Sequence, residues 1–303
     1  MSTTSPSIIE TPLADPQAGP YGIVAGPDAG LWFTMVHAGR IGRLDLAGEV
    51  VVHPLDSATC GPSIITAGDD GALWFTRSRD HRIGRITTDG EIVSFPTPTP
   101  GSGPFGITSG PDGALWFTEM NGDAIGRITT DGVITEFPLP VGGGYPSMIC
   151  PGPDDGLWFT LNQANAVGRI GLDGTVSLHE LPTPDAGPVG ITPGADNALW
   201  FVEIGAGQIG RITPDGGIRE FPLPDRAARP HAIVGDPAGG CWFTEWSANR
   251  IGRIDPTGGF RHHDLPSPAS EPHGITVGAD GAVWTALETG ALARLAPAYR
   301  VEP

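Results

Sequence analysis

Two histidines and two glutamates in the last third of the chain have types and spacings that could support chemistry. His231 and His273 each follow a proline and lie 42 residues apart. Glu271 lies two residues before His273, and Glu288 lies fifteen residues after it. Carboxylates with open coordination positions suit Mg²⁺, and a neutral imidazole can take or give a proton near pH 7.

This set of residues permits more than one reaction. A divalent cation that polarises a carbonyl acidifies the adjacent Cα–H, because the developing oxyanion is stabilised. A base could then remove that proton and a leaving group could depart. Metal-assisted hydrolysis of an ester would use the same parts, so the residues by themselves leave both reactions open.

An internal repeat must bring these residues together. A proline precedes a strand-like run at seven positions 42 residues apart, which are Pro20, Pro62, Pro104, Pro146, Pro188, Pro230 and Pro272. A tryptophan follows at the same period, at Trp32, Trp74, Trp116, Trp158, Trp200, Trp242 and Trp284. A period of roughly 40–45 residues is typical of propeller blades.

One unit, from Gly103 to Pro140, contains four short apolar or alternating runs separated by turn residues, with Asp-Gly at hairpin spacing. Four strands per unit predict an all-β fold, a seven-bladed β-propeller with four antiparallel strands per blade. The repeats fill nearly the whole chain, so we predict a single domain over residues 1–303.

The two ends of the chain indicate how the ring closes. The segment SIIETP, from Ser7 to Pro12, aligns with EIVSFP, from Glu91 to Pro96, at a shift of 84 residues, which is twice 42. The chain therefore begins with a fourth strand and ends soon after a third one, near Leu295. This pattern predicts that the N-terminal strand completes the last blade and removes a free edge.

The symmetry of the repeat breaks at two places that should share one face of the ring. The residue after each repeat proline is Tyr21, Ser63, Phe105, Ser147, Val189, His231 or His273. Glu271 stands before its proline where four blades have glycine, and Glu288 is the one acid four residues after a repeat tryptophan. Alternate residues of an extended chain share a face, so Glu271 and His273 are expected to point inward together. The other histidines, including His37, are expected to be structural or solvated.

The amino-acid composition limits the classes of partner that we expect for this protein. The net charge is −17 and the chain has no lysine, which argues against nucleic acid or an anionic membrane as a partner. Three cysteines without a pattern argue against a disulfide framework. The first residues have neither the basic nor the apolar region of a signal peptide, so a cytoplasmic protein is expected.

The chain resembles the virginiamycin B lyase family, which inactivates type B streptogramins. The resemblance covers the full length and is most specific at RPHAI (Arg229 to Ile233), at EPHGI (Glu271 to Ile275) and at the shortened last blade with Glu288. It implies a Mg²⁺-dependent carbon–oxygen lyase that opens a cyclic depsipeptide antibiotic by elimination at its ester and so confers resistance.

The resemblance also implies roles for single residues. It implies that Glu271 and Glu288 are the magnesium ligands and that His273 is the acid or base of the elimination. It further implies that His231 binds and orients the substrate lactone and that Tyr21 forms a wall of the pocket.

Two other functions stay open at this point. One is a metal-dependent lactonase or esterase on the same propeller, and the other is a propeller that binds a ligand without catalysis. The natural substrate could also be another cyclic depsipeptide. Because a closed ring can stand alone, a monomer is expected.

Overall fold

The computed structural model describes residues 7–296, which form 28 β-strands and no helix. Over this range there is accordingly no helix long and apolar enough to cross a membrane. The strands form seven antiparallel sheets of four strands each. This arrangement confirms the predicted all-β, seven-bladed propeller.

The strands follow the repeat closely. The chain begins with β1 (Ile8–Pro12). Blade 1 contains β2 (Pro20–Ala25), β3 (Leu31–Met35), β4 (Arg40–Leu44) and β5 (Val50–Pro54). Blade 2 contains β6 (Pro62–Ala67), β7 (Leu73–Arg77), β8 (Arg82–Ile86) and β9 (Ile92–Pro96). Blade 3 contains β10 (Pro104–Ser109), β11 (Leu115–Glu119), β12 (Ala124–Ile128) and β13 (Ile134–Pro138).

The remaining blades continue in the same order. Blade 4 contains β14 (Pro146–Pro151), β15 (Leu157–Leu161), β16 (Ala166–Ile170) and β17 (Val176–Glu180). Blade 5 contains β18 (Pro188–Pro193), β19 (Leu199–Glu203), β20 (Gln208–Ile212) and β21 (Ile218–Pro222). Blade 6 contains β22 (Pro230–Gly235), β23 (Cys241–Glu245), β24 (Arg250–Ile254) and β25 (Phe260–Asp264). Blade 7 contains β26 (Pro272–Val277), β27 (Val283–Leu287) and β28 (Ala291–Leu295).

The N-terminal strand closes the ring as predicted. In blade 7 the strand order is β26, β27, β28, β1, and β1 pairs antiparallel with β28 from Ile8 opposite Leu295 to Pro12 opposite Ala291. The first strand of each blade contacts the first strand of the next, and β2 contacts β26. The two ends of the chain are therefore fastened to each other in one sheet, which leaves no unpaired strand edge between the first and last blades.

The hydrophobic core lies between neighbouring blades. Trp32 and Ile41 of blade 1 pack with Ile65 and Phe75 of blade 2 in one buried cluster, and related clusters join the other blades. Apolar side chains on both faces of the second strand explain why these strands are continuous hydrophobic runs rather than alternating ones.

The repeat tryptophans and arginines fix the turn after each first strand. In blade 2 the Trp74 indole N–H donates to one oxygen of Asp70 at 3.1 Å, and Arg85 Nε donates to the other oxygen at 2.7 Å. The same arginine–aspartate bond occurs in all seven blades at 2.5–2.9 Å. These residues therefore support the scaffold.

On the opposite face, the two symmetry-breaking positions are joined by a repeated backbone hydrogen bond. The N–H four residues after each repeat tryptophan donates to the carbonyl of the residue before each repeat proline, at 2.9–3.2 Å. The pairs are Val36 to Gly19, Ser78 to Gly61, Met120 to Gly103, Asn162 to Tyr145, Ile204 to Gly187, Trp246 to Arg229 and Glu288 to Glu271. This bond makes the two positions neighbours although they are far apart in sequence.

Candidate active site

Glu271 and Glu288 of blade 7 are joined through their backbones. The Glu288 N–H donates to the Glu271 carbonyl at 3.1 Å. The two carboxylates and the imidazole of His273 each offer a ligand atom within 4.8 Å of the others. Three of the residues that the sequence singled out therefore meet at one point on the rim of the channel.

The backbone of Glu271 differs from the expected geometry. Its φ is +52°, in the left-handed region, and β26 begins only at the next residue. The chain is therefore not extended from Glu271 to His273, so the strand geometry behind the expectation is wrong, although the two side chains do converge as expected. The reason is that the connection from blade 6 must turn sharply before the innermost strand can begin, so the carboxylate reaches the site from a turn.

The left-handed conformation is a property of this place in every blade. The φ values of the residues before the repeat prolines lie between +51° and +65°, and four of the seven residues are glycine. A non-glycine residue here carries strain of about 1–2 kcal/mol. Tyr145 and Arg229 occupy the same place in two other blades, so what singles out Glu271 is the convergence of its carboxylate with Glu288 and His273.

His273 follows Pro272 in the innermost strand and is only 8% exposed. Its Nε2 is in close contact with Oε2 of Glu288. Its carbonyl accepts a hydrogen bond from the Thr244 hydroxyl of blade 6 at 3.0 Å, which holds the strand against the neighbouring blade. The pKa of Glu288 falls to about 2, chiefly because of its hydrogen bond and electrostatic interaction with His273. Glu288 is therefore ionised throughout the physiological pH range.

Tyr21 of blade 1 and His231 of blade 6 flank His273. The Tyr21 and His273 rings lie 4.4 Å apart between centroids, and the His231 and His273 rings lie 4.7 Å apart in an edge-to-face arrangement. The structure therefore brings all five predicted site residues together. Blades 6, 7 and 1 each contribute, which agrees with the expectation that ring closure makes blade 1 a neighbour of blade 7.

The environments of Tyr21 and His231 keep both side chains uncharged. Burial, and next the electrostatic influence of the neighbouring His273 ring, lowers the pKa of His231 to about 3. Burial, and next the negative charge of Glu288, raises the pKa of the Tyr21 hydroxyl above its usual range. The Nδ1 atom of His231 is buried and has no hydrogen-bond partner among residues 7–296, so it is available to a bound ligand.

The site opens onto an apolar channel. A cavity of about 140 Å³ runs along the innermost strands and is lined by Tyr21, Phe105, Met148, Val189 and His231, together with isoleucines of several blades. A ligand at the rim therefore meets polar groups on the side of blades 6, 7 and 1 and apolar walls elsewhere.

One residue of this site was not predicted from the sequence. His37 of blade 1 donates from Nε2 to Oε1 of Glu288 at 2.7 Å, whereas a structural or solvent role was expected. The signal was present in its position, because His37 follows Trp32 by five residues in the loop that was predicted to open on the site face. Its contact with Glu288 depends on which two blades become neighbours, and a single repeat does not contain that information.

The residues present fit a hard divalent cation. Two carboxylates converge, and no arginine lies within ion-pair distance of either one in the described part of the chain. Within residues 7–296 the Glu288 carboxylate contacts the imidazoles of His37 and His273. Carboxylate oxygens are preferred ligands of Mg²⁺, and the buried cysteines Cys60, Cys150 and Cys241 lie outside the cluster, so the donor set does not suit a thiolate-bound metal.

Known proteins share both the sequence and the fold. The family model described as "Virginiamycin B lyase family" matches residues 6–295. Virginiamycin B lyase of Saccharopolyspora erythraea is 63% identical over 46 residues, which is 15% of each chain. That alignment thus spans only a small part of the relative's length.

Solved structures extend the similarity to nearly the whole chain. The structure of virginiamycin B lyase from Staphylococcus aureus is 44% identical with a TM-score of 0.93, and the match covers 96% of this chain and 99% of that one. A catalytically inactive histidine-to-alanine variant of the S. aureus enzyme, in a structure with quinupristin, matches with the same values. The chain therefore belongs to the virginiamycin B lyase family of enzymes.

Proposed function

We propose that this protein is a Mg²⁺-dependent lyase that linearises type B streptogramins by elimination at the ester bond. The observation that carries the proposal is the convergence of Glu271, His273 and Glu288 within 4.8 Å at the rim of an apolar channel. Membership of the virginiamycin B lyase family, and the quinupristin in the structure of the S. aureus variant, support the substrate class.

Glu271 and Glu288 would hold the Mg²⁺ ion. When bound, the ion supplies Lewis acidity that polarises a substrate carbonyl and acidifies the Cα–H beside it. The backbone bond between the two residues sets the spacing of their carboxylates. Ionised Glu288 needs no proton loss before it can bind a cation, because its pKa is about 2.

His273 would accept the proton from the substrate Cα. Its contact with the Glu288 carboxylate supports this role, because a negative partner stabilises the imidazolium that proton uptake creates. The Thr244 bond to its backbone and its burial limit the movement of the ring. A base held in place this way reduces the entropy lost on reaching the transition state.

His231 and Tyr21 would orient the lactone. His231 stays neutral because its pKa is about 3, so it can hydrogen-bond to a substrate oxygen without competing for the proton. Tyr21 lies beside the His273 ring and forms the wall next to the scissile bond. Both residues also line the channel, where the apolar parts of a cyclic depsipeptide can be buried.

The proposed elimination consumes no water molecule. The Cα–H bond of the residue whose side chain forms the ester breaks, its electron pair forms the Cα=Cβ bond, and the Cβ–O bond breaks. The carboxylate leaves as the new end of the linear peptide, and the proton passes to His273. The product has the mass of the substrate and contains a dehydro-amino acid.

The test is to incubate the protein with a type B streptogramin and Mg²⁺, with and without a chelator. Product mass and ultraviolet absorbance are measured. We expect a ring-opened product of unchanged mass with new dehydro-amino-acid absorbance, and no product after chelation. A product one water heavier would instead identify a hydrolase, and the absence of any product would point to a different substrate or to a binding protein.

We expect His273→Ala to reduce kcat by about 10²–10⁴-fold, which is the range for removal of a general base. His179→Phe is the matched control, because His179 stacks on Trp158 at 5.5 Å and phenylalanine fills the same place in blade 3. Unchanged turnover in His273→Ala would exclude the proposed base.

We further propose that the protein is a cytoplasmic monomer and that the reaction confers resistance. Growth assays of an expressing strain would test the resistance.

A further inference from the structure

His37 binds the outer side of the Glu288 carboxylate. Its Nε2 donates to Oε1 of Glu288 at 2.7 Å, while His273 contacts Oε2 of the same group. The two imidazoles come from blades 1 and 7, which are joined only by ring closure. Glu288 is therefore held from both sides of the seam between the first and last blades.

The backbone of His37 is fixed to its own blade, while its side chain is 44% exposed. The His37 N–H donates to the Ala18 carbonyl at 3.1 Å, and the N–H of Val36 donates to the Gly19 carbonyl at 2.9 Å. The imidazole lies over Gly19, where any β-carbon would overlap the ring. Gly19 is thus needed both for its φ of +65° and for the space that it leaves.

The same place in the next blades carries side chains with a packing role. Arg79 lies over Gly61 in blade 2, and Asn121 lies over Gly103 in blade 3. Neither side chain contacts Glu271 or Glu288 in the described part of the chain. Covering the glycine is therefore shared by blades 1, 2 and 3, whereas contact with a site carboxylate belongs to His37 among these three.

We propose that His37 is a positioning residue that fixes the Glu288 carboxylate for cation binding across the closure of the ring. This inference rests on the proposed Mg²⁺ site. A carboxylate oxygen has two lone-pair directions, so Oε1 can accept the His37 N–H and still face a cation. Without His37 the carboxylate would turn more freely, and cation binding would have to restrict that motion.

The effect should appear in cation affinity as well as in turnover. Loss of a partner that orients a metal-binding carboxylate weakens metal binding by about 10–100-fold. We expect this loss in His37→Ala. We expect His37→Gln to retain most of the affinity, because the glutamine amide can donate to the same oxygen.

The experiment is isothermal titration of MgCl₂ into chelator-treated, dialysed protein. The parent, His37→Ala, His37→Gln and Asn121→Ala are compared, and thermal unfolding in EDTA checks that each variant is folded. Asn121→Ala is the matched control, because it removes a side chain from the same position of another blade. We expect its Mg²⁺ affinity to equal that of the parent.

The outcomes separate this inference from the proposed function. If the parent binds Mg²⁺ and His37→Ala binds it equally well, the positioning role is wrong and the proposed metal site stands. If both His37 variants lose affinity alike, the donor to Oε1 is not what matters and the inference also fails. If the parent itself binds no Mg²⁺, the metal part of the proposed function is overturned together with this inference.

Discussion

Glu271 carries backbone strain at the position before its repeat proline. Its φ of +52° places a glutamate where four blades use glycine. The strain of about 1–2 kcal/mol has no compensating hydrophobic burial, because the side chain is only half-buried. Tyr145 and Arg229 carry similar strain in blades 4 and 6, so the convergence with Glu288 and His273, and not the strain, marks Glu271 as a site residue.

Glu271→Gly should therefore separate stability from function. We expect the metal-free variant to be at least as stable as the parent and more stable by up to about 1 kcal/mol, because glycine adopts this φ without strain. We expect the rise in melting temperature on adding Mg²⁺ to disappear, because one of the two carboxylates is gone. Thermal unfolding in EDTA and in MgCl₂ measures both effects.

Glu271→Gln is the control for that prediction. It removes the charge and keeps the strained side chain, so we expect loss of the Mg²⁺ effect without the gain in stability. If the glycine variant retained the full Mg²⁺ effect, Glu271 would not be a ligand.

At the scale of the strand, the last residue of the second strand is a buried glutamate in some blades. Glu119 and Glu245 occupy this position in blades 3 and 6, and both are completely buried. Glu245 lies 3.0 Å from Arg250 at the start of the next strand. Blade 3 has Ala124 at the place of that arginine, so the next strand supplies no cation beside Glu119. Burial, and next the charge of Glu136, raises the pKa of Glu119 to about 8.

This arrangement predicts a pH dependence of stability. Because the folded pKa of Glu119 lies above the ordinary value of 4.5, its contribution is fully present below that value and is lost as the pH rises towards 8. Glu119→Gln resembles the protonated form. We expect it to match the parent at pH 4.5 and to be more stable at pH 9, by on the order of 1–3 kcal/mol. Chemical denaturation at the two pH values measures the difference.

The exposed Glu91 provides the comparison for that measurement. We expect Glu91→Gln to have the same effect, within error, at both pH values. An equal effect of Glu119→Gln at pH 4.5 and pH 9 would show that Glu119 is not protonated in the folded protein.

At the scale of the whole molecule, the closure of the ring leaves a packing defect. In six blades the repeat tryptophan lies against a ring of the fourth strand at 5.5–5.9 Å, and these rings belong to His53, Phe95, Phe137, His179, Phe221 and His263. Thr11 of β1 takes that place in blade 7. A cavity of about 400 Å³ lies at this seam, lined by Thr11, Leu31, Leu44 and Trp284 among others.

Thr11→Phe should fill part of this cavity. We expect the added ring to stack on Trp284 and to stabilise the protein by about 0.5–2 kcal/mol, as cavity-filling substitutions commonly do. For a chain of this size each kcal/mol raises the melting temperature by about 1.5–2 °C. Differential scanning calorimetry would detect the shift.

Thr11→Val, which has the same shape and no ring, serves as the reference and should change the melting temperature less. A lower melting temperature for Thr11→Phe would mean that the seam has no space for the ring.

Much of the fold follows from the sequence alone. The 42-residue period, the turn residues and the alignment of Ser7–Pro12 with Glu91–Pro96 predict the blade, the number of blades and the closing strand. These features are local or repeat along the chain, so they can be predicted from the order of the residues. The residues that break the period, Glu271, His273 and Glu288 among them, are visible for the same reason.

Only the tertiary structure decided how these residues meet. The left-handed turn at Glu271 depends on the path of the chain between two blades, and the contact of His37 with Glu288 joins residues 251 positions apart. Such contacts arise because closing the ring makes the first and last blades neighbours. The repeat pattern contains only what the blades have in common. The contacts across the seam between the first and last blades occur once, so the repeat pattern cannot predict them.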